Sequence, residues 1–489
     1  ASRGLGDVYK RQHRMNKLNM KVSISLFLVV LFSVCAPGLR AEKGKESQPP
    51  NLVVLLADDL GYGDLGCTGS LQIPTPNIDN LAKQGVFCSR AYVSAPMCAP
   101  SRMALLTGRF PKRYGITTNP NSKIDYLPES HYGLPQTEKC LPQYLAEFGY
   151  NSAVIGKWHL GHTEGYQPTD RGFDAWWGFL GGSRYYFPNR PEKKGLNPSK
   201  IVSNYTEETQ VSYLTDDIAR ECIRFIRKQK EAGKPFFLYA SFNAPHAPLE
   251  ALPEDLERFK HIKSKNRRTY CAMVHALDRA MGRILTALDE TGLARNTVVV
   301  FLSDNGGEPN IPTCNAPFKG EKRMHFEGGV RVPMIVRYPA DSRIRPGSVC
   351  EQVISAVDVL PTMLAENGAS IPENLDGMNM LPLLAAKENK VPRTLYWCTD
   401  YTSAILDGDE KYLLVPDRAP QLYNVVKDYQ EMNDLYPQHM EKAAPLARKL
   451  GTYLTTTPAS RFPDTISWSS GLMRQYDHAR PAVQPGANK

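Results

Sequence analysis

Five stretches of the chain are apolar at nearly every position over the length of a strand. The clearest is Asn51-Leu-Val-Val-Leu-Leu-Ala57, which ends in Asp58-Asp59. A run that is apolar throughout, rather than at alternate positions, predicts a strand buried on both faces, as in a parallel sheet. Runs at 152–156, 236–241, 297–303 and 332–338 read the same way. Amphipathic helical periodicity over 78–84, 141–148, 216–231 and 269–291 separates them. Strands alternating with helices predict an α/β fold: a doubly wound, mostly parallel sheet flanked by helices. Such sheets bind ligands outside the carboxyl ends of their strands. The polar residues that end these runs are therefore expected to converge.

The texture changes near residue 375. Short strand-like pieces at 394–398, 403–406 and 412–415 precede a helical stretch over 440–453. They predict a main catalytic domain over 51–374 and a smaller antiparallel C-terminal subdomain over 375–468. Residues 469–489 are polar and proline-containing, without apolar periodicity, and predict a loose tail.

The N-terminus reads as targeting rather than fold. Lys17 and Lys21 precede an uncharged apolar run over 22–34, and Ala41 offers a small residue before Glu42. This predicts a signal peptide over 15–41, a linker over 42–50, and a secreted or periplasmic protein. The run is too short to predict a stable membrane span; an uncleaved signal or a lipid on Cys35 is the alternative form of attachment. Residues 1–14 look foreign, because Asp7-Val8-Tyr9-Lys10-Arg11-Gln12 is what a sequencing-adapter sequence encodes.

Charge adds little once the N-terminus is set aside. The chain carries a formal +9; its first 41 residues hold seven basic residues against Asp7, a net +6, which leaves +3. That excess is too small to predict a nucleic-acid partner. Of the ten cysteines, Cys35 falls in the signal and Cys98 in the motif below. Export permits disulfides among the other eight, with no pairing deducible, and no CxxC spacing suggests structural zinc.

Five motifs carry chemistry. Cys98-Ala99-Pro100-Ser101-Arg102 enters a helix and is followed by Leu105-Leu106-Thr107-Gly108-Arg109; a helix start favours a thiolate or a bound anion. Asp58-Asp59 and Asp304-Asn305 end two of the predicted strands, and hard oxygen ligands of this kind select Ca²⁺ or Mg²⁺ over zinc. Gly156-Lys157-Trp158-His159-Leu160-Gly161 follows a third strand, so Lys157 and His159 share a direction if strand geometry continues. Pro245-His246-Ala247-Pro248 follows a fourth. Lys319-Gly320-Glu321-Lys322 leads into Glu327-Gly328-Gly329-Val330-Arg331. A lone histidine or cysteine is more often structural than catalytic, and acids beside glycine often only form turns. The set weighs more than its members.

The Cys98 stretch resembles the sulfatase signature, Cys-x-Pro-Ser-Arg followed by Leu-Thr-Gly-Arg, and the resemblance extends over roughly residues 50–455. It implies an alkaline-phosphatase-like fold and arylsulfatase-A-like hydrolysis of a sulfate ester. It implies that a partner maturation enzyme oxidises Cys98 to formylglycine. One hydroxyl of the hydrated aldehyde then attacks sulfur, and the other loses its proton to expel sulfate. By the same resemblance Asp58, Asp59, Asp304, Asn305 and residue 98 bind Ca²⁺, with Mg²⁺ as the alternative. Arg102 stabilises the diol, His159 contacts it, Lys157 holds sulfate, and His246 faces the ester oxygen. The family's usual Gly-Lys-Gly is altered here by Glu321 and Arg323; spacing to Glu327 maps its sulfate-binding lysine onto Lys322, with Lys319 as the fallback. His246 and Lys322 are the candidate donors to the leaving group, and His246 is favoured because lysine is strongly basic unless desolvated. A sulfated glycan or an aryl sulfate is the expected substrate.

Two other readings remain at this point. One is a phosphomonoester or phosphonate hydrolase of the same fold, which a second metal cluster would mark. The other is a non-catalytic sulfated-glycan-binding relative, which missing ligands would mark. Trp176-Trp177 reads as core or as a sugar platform. Residues 181–186 are a substrate-pocket candidate. Residues 422–424 and 431–435 read as structural, and Asn204-Tyr205-Thr206 is a glycosylation sequon.

Overall fold

Unbroken apolar runs commit both faces of each strand to burial, and the computed structural model builds its layers on that constraint. It describes residues 48–120, 132–188, 200–385, 390–462 and 469–486. Residues 1–14, the expected signal segment, most of the expected linker and residues 463–468 lie outside the described residues.

The principal sheet has nine strands. In spatial order they are Ser348–Cys350, Val86–Cys88, Met334–Arg337, Thr297–Ser303, Asn51–Ala57, Phe236–Ser241, Asn151–Lys157, Ala175–Phe179 and Val202–Ser203. The four long central strands are parallel. Asn51 is in register with Thr297 and Ala57 with Ser303, and Leu52 with Phe237. Leu52, Val54 and Leu56 enter the core on one face, while Val53, Leu55 and Ala57 enter the core on the other. Full burial of a side chain of this size stabilises by about 1.5–3 kcal/mol.

The helices cover both faces. Leu214–Ala232 and Lys265–Glu290 contribute Ile218, Phe225, Met273 and Leu277 to one core. The first ends on Gly233, whose left-handed φ of 63° suits a residue without a side chain. Ser264 caps the second by accepting from the backbone N–H of Arg267. On the opposite face, the helix Cys98–Thr107 buries Ala99, Met103 and Leu106.

Three expectations need correction. The run at 332–338 forms Met334–Arg337, which is antiparallel to both of its neighbours. The chain leaves Ser303 at the carboxyl edge, spends residues 304–333 on loops and the single helical turn Glu327–Val330 there, and re-enters from that same edge. No crossover returns it to the other end, so a parallel pairing is ruled out. The expected subdomain boundary is also displaced, since Met380, Leu381 and Leu384 pack into the principal core. Finally, the described part of the expected loose tail 469–489, residues 469–486, is not loose: Ser470–His478 is a helix. Tyr476 and Ala479 are buried in the core shared with the C-terminal sheet. Two apolar anchors spaced three apart are too few to read as periodicity.

The C-terminal sheet is antiparallel, Thr394–Cys398, Ser403–Asp407, Glu410–Leu414 and Gln421–Asn424 in order. One face packs on Ala443, Leu446 and Leu450 of the helix Met440–Thr456. The other packs Trp397, Leu406 and Leu413 against Tyr92, Phe326 and Val330. Trp176 and Trp177 are core residues, 4% and 0% exposed, which removes the sugar-platform alternative. Among the described residues no helix is long and apolar enough to cross a membrane.

Candidate active site

Parallel pairing in register brings the carboxyl ends of the central strands to one edge, and polar residues follow immediately. Asp58-Asp59 follow Ala57, Asp304-Asn305 follow Ser303, Ser241 and Lys157 are themselves strand ends. Asp59 takes a left-handed φ of 61°, so the chain turns sharply as it leaves the sheet. His159 does likewise at 62°. Strand alternation therefore stops at Lys157 and does not align it with His159. Both side chains nonetheless reach the same cluster.

Four carboxylates there face three cations. Lys157 Nζ lies 2.6 Å from Asp58 Oδ2. Lys322 Nζ lies 2.7 Å from Asp59 Oδ2 and 3.1 Å from Glu308 Oε2. Arg102 donates through Nε to Asp304 Oδ2 at 2.8 Å and through a terminal nitrogen to Ser241 Oγ at 2.6 Å. The Asp59 backbone N–H donates to Asp304 Oδ1, and Asn305 Nδ2 to Asp59 Oδ1 at 2.7 Å. Cys98, the first residue of its helix, places Sγ 3.8 Å from Asp59 Oδ1. His246 Nε2 is 3.5 Å from Asp59 Oδ2, and its side chain is 19% exposed where those of Asp58, Asp59 and Asp304 are buried. His246 therefore stands at the mouth and the acids at the floor.

Burial sets the electrostatics before any pairing does. It disfavours the ionised acids, yet Lys157, His246 and Arg102 hold Asp58 well below the ordinary carboxylate range. Burial likewise opposes ionisation of Asp59, and Lys322 and His246 overcome it. Asp304 goes the other way, raised to about 6 by burial and the neighbouring Asp58 charge against the pull of Arg102. Burial pushes the Cys98 thiol up to about 12 in spite of Lys157 and Lys322. An unmodified thiol here stays protonated at neutral pH and is a poor nucleophile. His159 is held well below its usual value, by burial and then by the charges of Lys157 and Arg102.

The donor set fits a hard cation. Asp58 Oδ1 and Asn305 Oδ1 are buried without a hydrogen bond among the described residues, and such atoms are costly unless something binds them. Ligand atoms of Asp58, Asp59, Cys98 and His246 lie within 4.8 Å of one another. Asp58 and Asp59 offer carboxylate oxygens there, with the side-chain oxygens of Asp304 and Asn305 beside them, the kind of donor that hard divalent cations take.

The sulfatase family model matches residues 50–368, and a second, described as N-sulphoglucosamine sulphohydrolase, C-terminal, matches residues 319–457. The chain belongs to the sulfatase family. Human N-acetylgalactosamine-6-sulfatase is 37% identical over 470 residues, covering 90% of this chain and 88% of the human protein. The dog protein of that name is 36% identical over 398 residues, 78% of this chain and 74% of its own length. Among solved structures, Ps i-CgsB in complex with k-i-k-neocarrahexaose superimposes with a TM-score of 0.79 at 35% identity, covering 88% of this chain and 97% of that one.

As a sulfatase the chain is an enzyme, a sulfuric ester hydrolase. Its fold brings Asp58, Asp59, Cys98, Arg102, Lys157, His159, His246, Asp304, Asn305 and Lys322 to one edge of one sheet. Lys319 does not join them: its ammonium sits 4.1 Å from the Phe326 ring centroid and donates to the Glu431 carbonyl. Gly182, from the substrate-pocket candidate at 181–186, lies against His159, and a Cβ there would stand 2.6 Å from His159 Nε2. Tyr186 contacts the carbonyls of Asn243 and His246 through its hydroxyl, and so braces the His246 loop. Sequence reasoning missed Ser241 and Glu308. Ser241 ends a central strand, and the rule that ligands gather at strand ends points to it. Glu308 follows Asp304-Asn305-Gly306-Gly307 directly, a position that no local pattern marks.

Proposed function

We propose that this sulfatase removes sulfate from a sulfated carbohydrate, using formylglycine made from Cys98 and a divalent cation held by Asp58, Asp59, Asp304, Asn305 and residue 98. The observation that carries the reading is the position of Cys98: a buried helix start beside Asp59, ringed by three cations. Formylglycine at position 98, once hydrated, would offer two hydroxyl oxygens, one as nucleophile toward sulfur and one to lose a proton as sulfate departs. A divalent cation, Ca²⁺ or Mg²⁺, held by Asp58, Asp59, Asp304 and Asn305 would supply Lewis acidity toward the sulfate oxygens and favour the ionised nucleophile.

The chain's own residues do the rest. Lys157 and Lys322 flank the floor from two sides and hold the sulfate oxygens by charge. Arg102, fixed by Asp304 and Ser241, orients residue 98 with a rigid fork of donors. Burial keeps His159 neutral, so a ring nitrogen accepts a proton from the oxygens on residue 98. His246, at the mouth, gives a proton to the alcohol oxygen as it leaves. The relatives named for N-acetylgalactosamine 6-sulfate and crystallised with neocarrahexaose support a sulfated sugar as substrate. Export to an oxidising compartment and a maturation enzyme as partner belong to the same proposal.

Release of free sulfate from a panel of defined sulfated oligosaccharides tests the substrate, with an aryl sulfate and an aryl phosphate side by side as controls. The reading expects sulfate release from sugars and faster turnover of the aryl sulfate. Preferred phosphate hydrolysis contradicts it.

A further inference from the structure

Lys322 lies on a loop rather than on a regular element. Its amine must be held to within a fraction of an ångström to act on sulfate, so something must fix the loop. Its own N–H donates to the Gly307 carbonyl at 3.0 Å, and the next N–H, of Arg323, donates to the Pro96 carbonyl at 2.8 Å. Arg323 takes a left-handed φ of 74°, a conformation that a residue with a side chain holds only when its surroundings impose it.

The surroundings include the C-terminal helix Ser470–His478. The Tyr476 hydroxyl lies 3.3 Å from the Arg323 carbonyl, 3.2 Å from the His325 N–H and 3.0 Å from His325 Nδ1. It thus spans the turn that follows Lys322, donating to Arg323 O and accepting from His325. Tyr476 is 6% exposed, and its ring packs on Phe326 with centroids 5.7 Å apart. The segment after it runs alongside the same loop. The Ala482 N–H donates to the Phe318 carbonyl, Pro481 bridges Lys319, and Gln484 reaches the Gly63 carbonyl at 2.8 Å. None of these residues touches the catalytic cluster, and the proposed mechanism uses none of them.

We infer that Tyr476 is a positioning residue: its hydroxyl locks the 323–325 turn and thereby sets the Lys322 amine against Asp59 and the sulfate. The C-terminal helix is then a strap on the active site as well as a cover for the C-terminal sheet. The inference rests on the proposed role of Lys322. It predicts that the hydroxyl matters to the reaction through Lys322 and through no other group.

The test is a double-mutant cycle on the matured enzyme, Tyr476→Phe and Lys322→Ala, read as kcat/KM on a fluorogenic aryl sulfate. Tyr476→Phe keeps the ring and its stacking on Phe326. It should lower kcat/KM about tenfold, the scale of losing one or two neutral hydrogen bonds, with little change in melting temperature. In the Lys322→Ala background the same change should have almost no effect. Hydrogen exchange should show faster exchange of the His325 amide in Tyr476→Phe. Arg418→Ala, which breaks the exposed pair to Asp477 on the same helix, should leave activity unchanged. Wild-type kcat/KM in Tyr476→Phe overturns the inference, and so does an equal loss in both backgrounds. If the wild type releases no sulfate, the proposed function fails instead, and the exchange result still reports on the strap.

Discussion

Replacing Arg102 with Met removes a cation that three elements share. Arg102 is 1% exposed; it donates to Asp304 at 2.8 Å and Ser241 at 2.6 Å and approaches Asp58 Oδ1 at 3.5 Å. Met replaces only the unbranched stem of the arginine and leaves Asp304 buried with no cation in contact. Removing one partner of a buried pair costs about 3–5 kcal/mol, because the surviving charge is stranded. Residues 48–489 form one compact unit, whose unfolding entropy is about 0.9 kcal/mol/K at the usual value per residue. The melting temperature should therefore fall by about 3–5 °C in calorimetry with a chelator present, which keeps metal loss out of the comparison. Arg418→Ala, at an exposed pair, should shift it by less than about 1 °C. Adding Asp304→Asn to Arg102→Met should recover a large part of the loss, since no charge is then stranded. An Arg102→Met protein that melts with the wild type, or a double variant no better than the single, would refute the reasoning.

Four further outcomes follow from the same geometry. Ca²⁺ should raise the melting temperature of the wild type in a thermal-shift titration, and Asp58→Asn should fold but lose that rise, because the proposed site then lacks an anionic ligand. Gly182→Ala should cut kcat at least severalfold while leaving the melting temperature within about 2 °C, because its methyl displaces His159. Burial, and then the Lys411 charge, lowers the His325 pKa from 6.5 to about 3; the unfolded chain takes up a proton below 6.5 while the folded one does not. Stability should therefore be lost as pH falls from 6.5 toward 3, by up to about 1.4 kcal/mol per unit, and His325→Gln should flatten that slope in a melting-temperature profile. Lys411 lies 3.0 Å from both Glu327 and Glu431 and is fully buried; Lys411→Met leaves Glu431 with no cation in contact and Glu327 with Arg331 alone, and should lower the melting temperature by an amount similar to Arg102→Met.

How much of this was legible in the sequence depended on how local the signal is. Strands apolar on both faces announce themselves in single runs, so the central sheet and the acids at its edge are legible from sequence alone. Strand direction is not local: Met334–Arg337 reads like its parallel neighbours, and only the loop that precedes it decides that it is antiparallel. Gln421–Asn424 has two buried positions, too few to show a period. The site residues with a motif around them, such as Cys98 and His159, stood out. Glu308 and Tyr476 act through contacts with Lys322 and its loop, the latter across a separation of |i−j| = 153 to Arg323. No spacing rule reaches that far, and a polar segment with two apolar anchors looks the same as an unattached tail.

Residue 98 is where the account is most exposed to contradiction. Enzyme coexpressed with a formylglycine-generating enzyme and still hydrolysing an aryl sulfate should be digested, and the peptide spanning Cys98 to Arg102 analysed by mass spectrometry after treatment with a hydrazine that traps aldehydes. Position 98 should carry a trapped aldehyde, in a proportion that tracks specific activity across preparations. Full activity from a preparation in which position 98 is entirely an intact thiol would contradict it.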